Sequence, residues 1–161
     1  MTEIFTKDFD IFPGKDITKQ LILLFEESAK NTQAKKIVFE KGTYYIDSRK
    51  CNKYMMYITN TVGDDEFEND ETPHLQAVAF HLENIENLIF DGDGSVFIID
   101  GKATNIAIRN CRNVLIKNLE IRHAHPDMHE LKVVSKTLVS VDFEFDKDTL
   151  YKFRKGKLYF Y

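Results

Sequence analysis

The stretch EIRHAHPDMHE, residues 120–130, places His123, His125 and His129 within seven positions and follows them with Glu130. The chain holds five histidines, so most of its imidazoles crowd into this segment. A neutral imidazole donates through one nitrogen and accepts or ligates through the other. Three kinds of chemistry are therefore open. On a strand, His123 and His125 project from one face and, joined by Glu130, could ligate a metal. On a loop leaving a rigid scaffold, His123, His125, Asp127 and His129 could instead hydrogen-bond the hydroxyls of a sugar. The third reading is a solvated connection, because Pro126 interrupts a strand's hydrogen-bond ladder.

The spacing His-x-His-x4-Glu matches the first metal-binding motif of the cupin barrels. Cupins also need flanking glycines and a second motif carrying another histidine. Lys117 and Thr137 stand where the glycines belong, and His74 and His81 lie upstream. A small cupin-like metal-binding protein thus ranks last among the readings, and neither a metal nor another cofactor is expected. Paired carboxylates for glycoside hydrolysis must face each other across the scissile bond. Asp91 and Asp93 in FDGDGS are the nearest approach to such a pair, but each precedes a glycine, as Asp100 does in IIDGK. Asp-Gly marks turns, so these acids read as bends and no catalytic residue is assigned. The acidic segment from Gly63 to Thr72 lacks the ordered ligand spacing and central glycine of a calcium-binding loop.

The elements that would position these groups follow from periodicity. KDITKQLILLFEESAKN carries Ile17, Leu21, Leu24, Phe25 and Ser28 at helical spacing, with Asp16 placed to accept a bond from a first-turn amide. Ile22 and Leu23 broaden the apolar stripe, which suits a helix lying on a sheet or on the open end of a solenoid. Ile37 to Ile46 reads as strand, glycine-centred turn, strand, and KYMMYITN as a further strand. An internal repeat comes next. Asn84 and Asn87 recur as Asn110 and Asn113, 26 residues later, and Phe80, Leu82, Ile85, Leu88 and Phe90 recur as Ile106, Ile108, Cys111, Val114 and Ile116. Short alternating runs repeating at this period predict stacked turns of parallel strands, with asparagine at the bends. A chance likeness between two hairpins is the alternative.

Composition bounds the function. The chain has 161 residues, 43% hydrophobic and 30% charged, with net charge −4 and its signs intermixed. That balance argues against a nucleic-acid partner. Thirteen Phe and seven Tyr against no Trp suit a sheet-rich core. No apolar run reaches the roughly 18 residues of a membrane helix, so no membrane partner is expected. The start MTEIFTKDFD lacks the features of a signal peptide. Localisation is left as cytoplasmic, or secreted or periplasmic if a signal has been removed. Cys51 and Cys111 read as free, buried thiols.

The segments DITKQLILLFEESAKN, KKIVFEKGTYYI, KYMMYITN, NLIFDGDGSVFIIDGK and NVLIKNLEIRHAHP together resemble the N-terminal region of glycoside hydrolase family 110. The likeness runs from about Asp16 to Pro126, and IVFEKGTYYI, YMMYITN and LIFDGDGSVFIIDGK are its most specific pieces. The resemblance implies a right-handed parallel β-helix of the pectate-lyase-like kind and an exo-acting α-galactosidase activity on terminal α-galactosides. It also implies that the catalytic acids lie beyond residue 161, because family members are several times longer. Where the family carries acids after NLEI, this chain has Arg122, His123, Ala124 and His125.

The expected architecture is therefore mainly β: a short right-handed parallel β-helix with an N-terminal capping helix and a C-terminal β-hairpin extension. Residues 1–126 form the cap and first turns. Residues 127–161 form the extension or the start of an inserted β-domain, with strands over Leu131–Ser135 and Leu138–Phe145 and a short one at KLYFY. The chain reads as the N-terminal piece of a carbohydrate-active protein, not catalytic alone. A glycan-binding or assembly module is the alternative, and the open end of the short helix is expected to favour association between copies.

Overall fold

The computed structural model describes residues 1–56, 74–125, 130–147 and 149–160. The acidic segment Gly63–Thr72 and the second half of KYMMYITN lie outside the described residues. The chain divides into two compact units, Met1–Ala124 and His125–Tyr161. It is mainly β, with parallel strands in its largest sheet and one α-helix among the described residues.

The first unit runs β1 (Thr2–Phe5), α1 (Thr18–Ala29), β2 (Lys35–Val38), β3 (Thr43–Asp47), β4 (Lys53–Met56), β5 (His74–Glu83), β6 (Glu86–Asp100), β7 (Thr104–Arg109) and β8 (Arg112–His123). The 26-residue repeat is a strand register. In the parallel pair of β5 and β7, Phe80 lies opposite Ile106 and Leu82 opposite Ile108. In the parallel pair of β6 and β8, Leu88 lies opposite Val114 and Phe90 opposite Ile116. β2 and β3 join the same sheet, β2 against the first half of β6 and β3 against the second, with Ile37 opposite Phe90 and Tyr44 opposite Phe97. β1 adds in parallel to the outer side of β2.

The bends are made by asparagine. Asn84, Asn87, Asn110 and Asn113 all adopt left-handed backbone, with φ between 49° and 56°. Asparagine tolerates that region better than other non-glycine residues. Within β6 and β8 a further bend falls at Asp93 and Asn118, φ 50° and 54°, and the register slips there. Past the slip Phe97 faces Ile121 and Ile99 faces His123, so the inward row continues on a new phase.

Stacking of like positions makes the core. Phe39, Tyr44, Phe80, Phe90 and Phe97 are wholly buried. Most of their rings meet at tilted or edge-on angles, such as Phe39 on Phe97 at 5.1 Å and Phe80 on Phe97 at 5.2 Å between centroids, while Tyr44 stacks on Phe97 at 5.2 Å. Each such side chain contributes about 1.5–3 kcal/mol by leaving water. α1 seals one side, burying Leu21, Leu24 and Phe25, with Phe25 set 5.8 Å from Phe90 and 6.4 Å from Phe80. Ile17 occupies the capping position of α1, one residue later than the sequence suggests. Asp16 still accepts from the Thr18 amide at 3.0 Å and binds Lys50 at 2.5 Å. Burial works to raise the Asp16 carboxyl, but those hydrogen bonds outweigh it and hold the carboxyl below its usual range.

The second unit holds two antiparallel pairs, β9 (Lys132–Lys136) with β10 (Val141–Glu144), and β11 (Tyr151–Arg154) with β12 (Lys157–Phe160). β10 starts at Val141 because Thr137 closes a turn, its hydroxyl accepting from the Val139 and Ser140 amides at 3.2 and 3.0 Å. Lys155 and Gly156, φ 50° and 75°, supply the left-handed pair that a two-residue hairpin needs. Phe145 packs against Tyr151 and Phe160 at 5.1 and 5.5 Å.

Candidate functional site

β8 delivers the first histidine of the cluster. His123 is its last residue, and it continues the inward row made by Ile46 and Ile99, both wholly buried. The Ala124 amide donates to the Ile99 carbonyl at 2.8 Å, which fixes the backbone at this point. His123 is half-buried; His125 is exposed and opens the second unit. Glu130 is exposed as well. Asp127 and His129 lie outside the described residues. Among the described residues no group of three or more His, Cys, Asp or Glu comes together as a metal cage.

Asp91 and Asp93 serve the bend. The Asp91 carboxylate accepts from the Asn118 side-chain amide at 2.9 Å and the Asp93 backbone amide at 3.2 Å, and lies 3.4 and 3.3 Å from the ammonium groups of Lys36 and Lys117. The Asn118 hydrogen bond foremost, opposed by desolvation and reinforced by Asp93 and Lys117, pulls its pKa down to about 2. A carboxyl so held stays ionised and fully engaged, unsuited to giving a proton to a leaving group. Asp100 ends β6 and lies 3.7 Å from Arg49.

The cysteines differ from each other. Cys51 is free and buried, and burial pushes its thiol up to about 11, which makes it inert. Cys111 is free but only half-buried, in the turn between β7 and β8; its thiol donates to the Arg109 carbonyl at 3.2 Å.

A cleft of about 430 Å³ lies between α1 and the β4–β5 pair, a feature the sequence does not announce. Its walls include Phe25, Glu26, Asn52, Tyr54, His81 and Glu83. His81 stacks on Tyr54 with ring centroids 3.8 Å apart, and its Nε2 stands 3.9 Å from Glu83 Oε2, beyond hydrogen-bond reach. Nε2 has no hydrogen-bond partner among the described residues. Burial lowers the His81 pKa, Glu83 opposes that and Arg109 adds to it, so the ring is neutral at pH 7. The only sign in the sequence is the alternation of β5, which places His81 and Glu83 on one face.

The described residues form a mainly β chain with parallel strands in register and one α-helix packed against them. Comparison with known proteins gives that class a relationship. No family model matches the sequence. The chain is 27% identical over 129 residues to alpha-1,3-galactosidase A of Bacteroides thetaiotaomicron, covering 79% of this chain and 22% of that protein. It is 27% identical over 160 residues to alpha-1,3-galactosidase A of Bacteroides fragilis, covering 98% of this chain and 26% of the relative. Alpha-1,3-galactosidase B of Bacteroides thetaiotaomicron is 28% identical over 144 residues, 89% of this chain and 22% of the relative. The chain is thus related to the alpha-1,3-galactosidases, as the resemblance to glycoside hydrolase family 110 implies. It spans about a quarter of the length of these curated relatives.

Proposed function

We propose that this chain is the N-terminal portion of a carbohydrate-active protein that acts on terminal α-galactosides, and that it recognises sugar without cleaving it. The observation that carries this reading is the similarity to alpha-1,3-galactosidases across 98% of the chain. Its scaffold is a short right-handed parallel β-helix capped by α1. The 26-residue register of β5–β7 and β6–β8, the left-handed asparagines at matched bends and the rows of stacked aromatics support that architecture. The reacting acids lie outside this chain. In support, Asp91 is wholly committed to its bend.

Sugar contact is assigned to His123, His125, Asp127 and His129, whose side chains suit hydroxyl recognition. A glycan-binding or assembly module without a catalytic partner is the second reading, favoured by the half-buried inward row of β8. Association between copies through that end belongs to the proposal. Incubation of the full chain with a terminal α-1,3-galactoside tests the main reading. The expected result is binding on a glycan array with no galactose released. Galactose release by this chain would place the acids within it, and an array without galactoside binding would remove the sugar.

A further inference from the structure

The cleft between α1 and the β4–β5 pair has one polar group that the fold leaves unsatisfied. The His81 side chain is only 10% exposed, and its Nε2 has no hydrogen-bond partner among the described residues. Stacking on Tyr54 at 3.8 Å sets the plane of the ring, and Glu83 Oε2 lies 3.9 Å from Nε2. A buried polar atom without a partner costs free energy until something bonds it. One oxygen placed about 2.8 Å from each atom bridges the gap at an angle of roughly 90°. An ionised Glu83 only accepts, so the bridging group must donate to Oε2 and accept from a protonated Nε2. A hydroxyl does both at once.

The rest of the wall narrows the class of ligand. Its charged groups, Glu26 and Glu83, are carboxylates, and no lysine or arginine stands among the wall residues, so an anion is repelled. Each carboxylate already has a cation nearby. Arg109 Nε lies 3.6 Å from Glu83 Oε1, and Lys30 is within electrostatic reach of Glu26. The wall therefore offers acceptor oxygens rather than an uncompensated charge for an amine. Asn52 adds an amide that donates and accepts, and Phe25 adds apolar surface. The volume of about 430 Å³ is that of a small-molecule site.

We propose that this cleft binds a neutral sugar ring, one hydroxyl bridging His81 Nε2 and Glu83 Oε2 while Asn52 and Glu26 take others. Nε2 lies beneath the cleft surface, and Glu83, 33% exposed, is the side chain that turns to admit the hydroxyl. The site shares no residue with the histidine cluster at the end of β8, so it goes beyond the proposed function and does not depend on it. Its walls come from α1, β4, β5 and the residues flanking them, and β7 takes the edge of β5 opposite β4. Chain that continues the stack from β7 and β8 builds away from the cleft.

Nuclear magnetic resonance of the full chain with ¹⁵N-labelled imidazoles tests the proposal, the His81 signals being assigned by their loss in His81→Phe. The probes are D-galactose, D-glucose and D-mannose, with putrescine as an amine and inorganic phosphate as an anion. A saturable shift of the His81 Nε2 signal with at least one sugar is expected, with the proton on Nε2 in the bound state. Glu83→Ala, its fold confirmed by circular dichroism, should weaken that sugar at least tenfold. A His81 signal unmoved by all three sugars at concentrations on the order of 50 mM overturns the proposal. So does a signal that answers only putrescine or phosphate, or a folded Glu83→Ala chain that binds as tightly as wild type. The His125 signals report the histidine cluster in the same spectra, so shifts there with none at His81 overturn the cleft and leave the proposed function standing.

Discussion

Asn113 donates its side-chain amide to Oδ1 of Asn87, 26 residues earlier, at 2.9 Å. Asn87 in turn donates to the Thr32 carbonyl at 2.8 Å. Both asparagines sit in left-handed backbone at the start of their strands. The two functions reinforce each other: a residue that tolerates the bend also carries an amide that ties one turn of chain to the turn before it. The ion pair of Arg112 with Glu86, 2.8 Å and again 26 residues apart, repeats the link beside it.

Replacing Asn87 separates the two contributions. Asn87→Ala places a residue with little tolerance for positive φ at the bend and removes two hydrogen bonds, so it should destabilise the chain by about 1–3 kcal/mol. Asn87→Gly loses the same bonds but accepts the backbone, and should cost less than alanine. Urea unfolding of the three proteins checks the order; an alanine variant as stable as wild type would contradict the ladder.

Phe25 tests the helix as a lid. Its ring is buried against Phe80 and Phe90. Phe25→Ala should cost about 3–5 kcal/mol, as large-to-small changes in a packed aromatic core do. A loss under 1 kcal/mol would mean that α1 covers the core without gripping it.

His81 gives the fold an acid-sensitive element. Burial lowers its pKa in the folded chain below the unfolded value of about 6.5, so the unfolded chain binds more protons over that interval. The stability it contributes is complete above about pH 6.5 and is lost as pH falls through the lowered folded value. His81→Phe keeps a ring beside Tyr54 and should flatten the fall in melting temperature between pH 7 and pH 5. An unchanged slope would show that the imidazole does not titrate against folding.

Asp91 acts in a lower window. Its folded pKa of about 2 lies below the unfolded value of about 3.9, so its contribution is present above roughly pH 4 and is lost as pH falls toward 2. Asp91→Asn should lower stability at pH 7 and reduce the dependence on pH below 4. Melting curves at pH 7, 4 and 2.5 decide it, and a variant that keeps the full acid dependence would assign that dependence to other carboxyls.

The repeat was the legible part of this chain because it is local and twofold: matched asparagines and apolar positions 26 residues apart become strand partners directly. The pairing of β2 and β3 with β6 is not legible in the same way. It spans 53 residues, from Lys35 to Leu88 and Thr43 to Val96, because the stretch with the acidic segment interrupts the period. β1 reads as a plain N-terminus, since its partner Lys35–Val38 lies far along the chain and only the fold brings the two together. Lys35 is hidden for a related reason. It stands opposite Leu88 in an inward row and is buried, its ammonium satisfied by the carbonyls of Asn31, Gln33 and Glu86, a compensation that composition cannot reveal. The histidine cluster was visible by type and spacing, but spacing alone does not show that His123 continues a row of buried isoleucines.

The central claim is that this chain recognises a terminal α-galactoside. Isothermal titration of the full chain with an α-1,3-galactosyl disaccharide tests it most directly, alongside His125→Ala, which changes an exposed residue and leaves the core intact. The account predicts saturable binding, weakened at least tenfold by His125→Ala and accompanied by no release of galactose. Titration without heat or saturation up to millimolar sugar would contradict it.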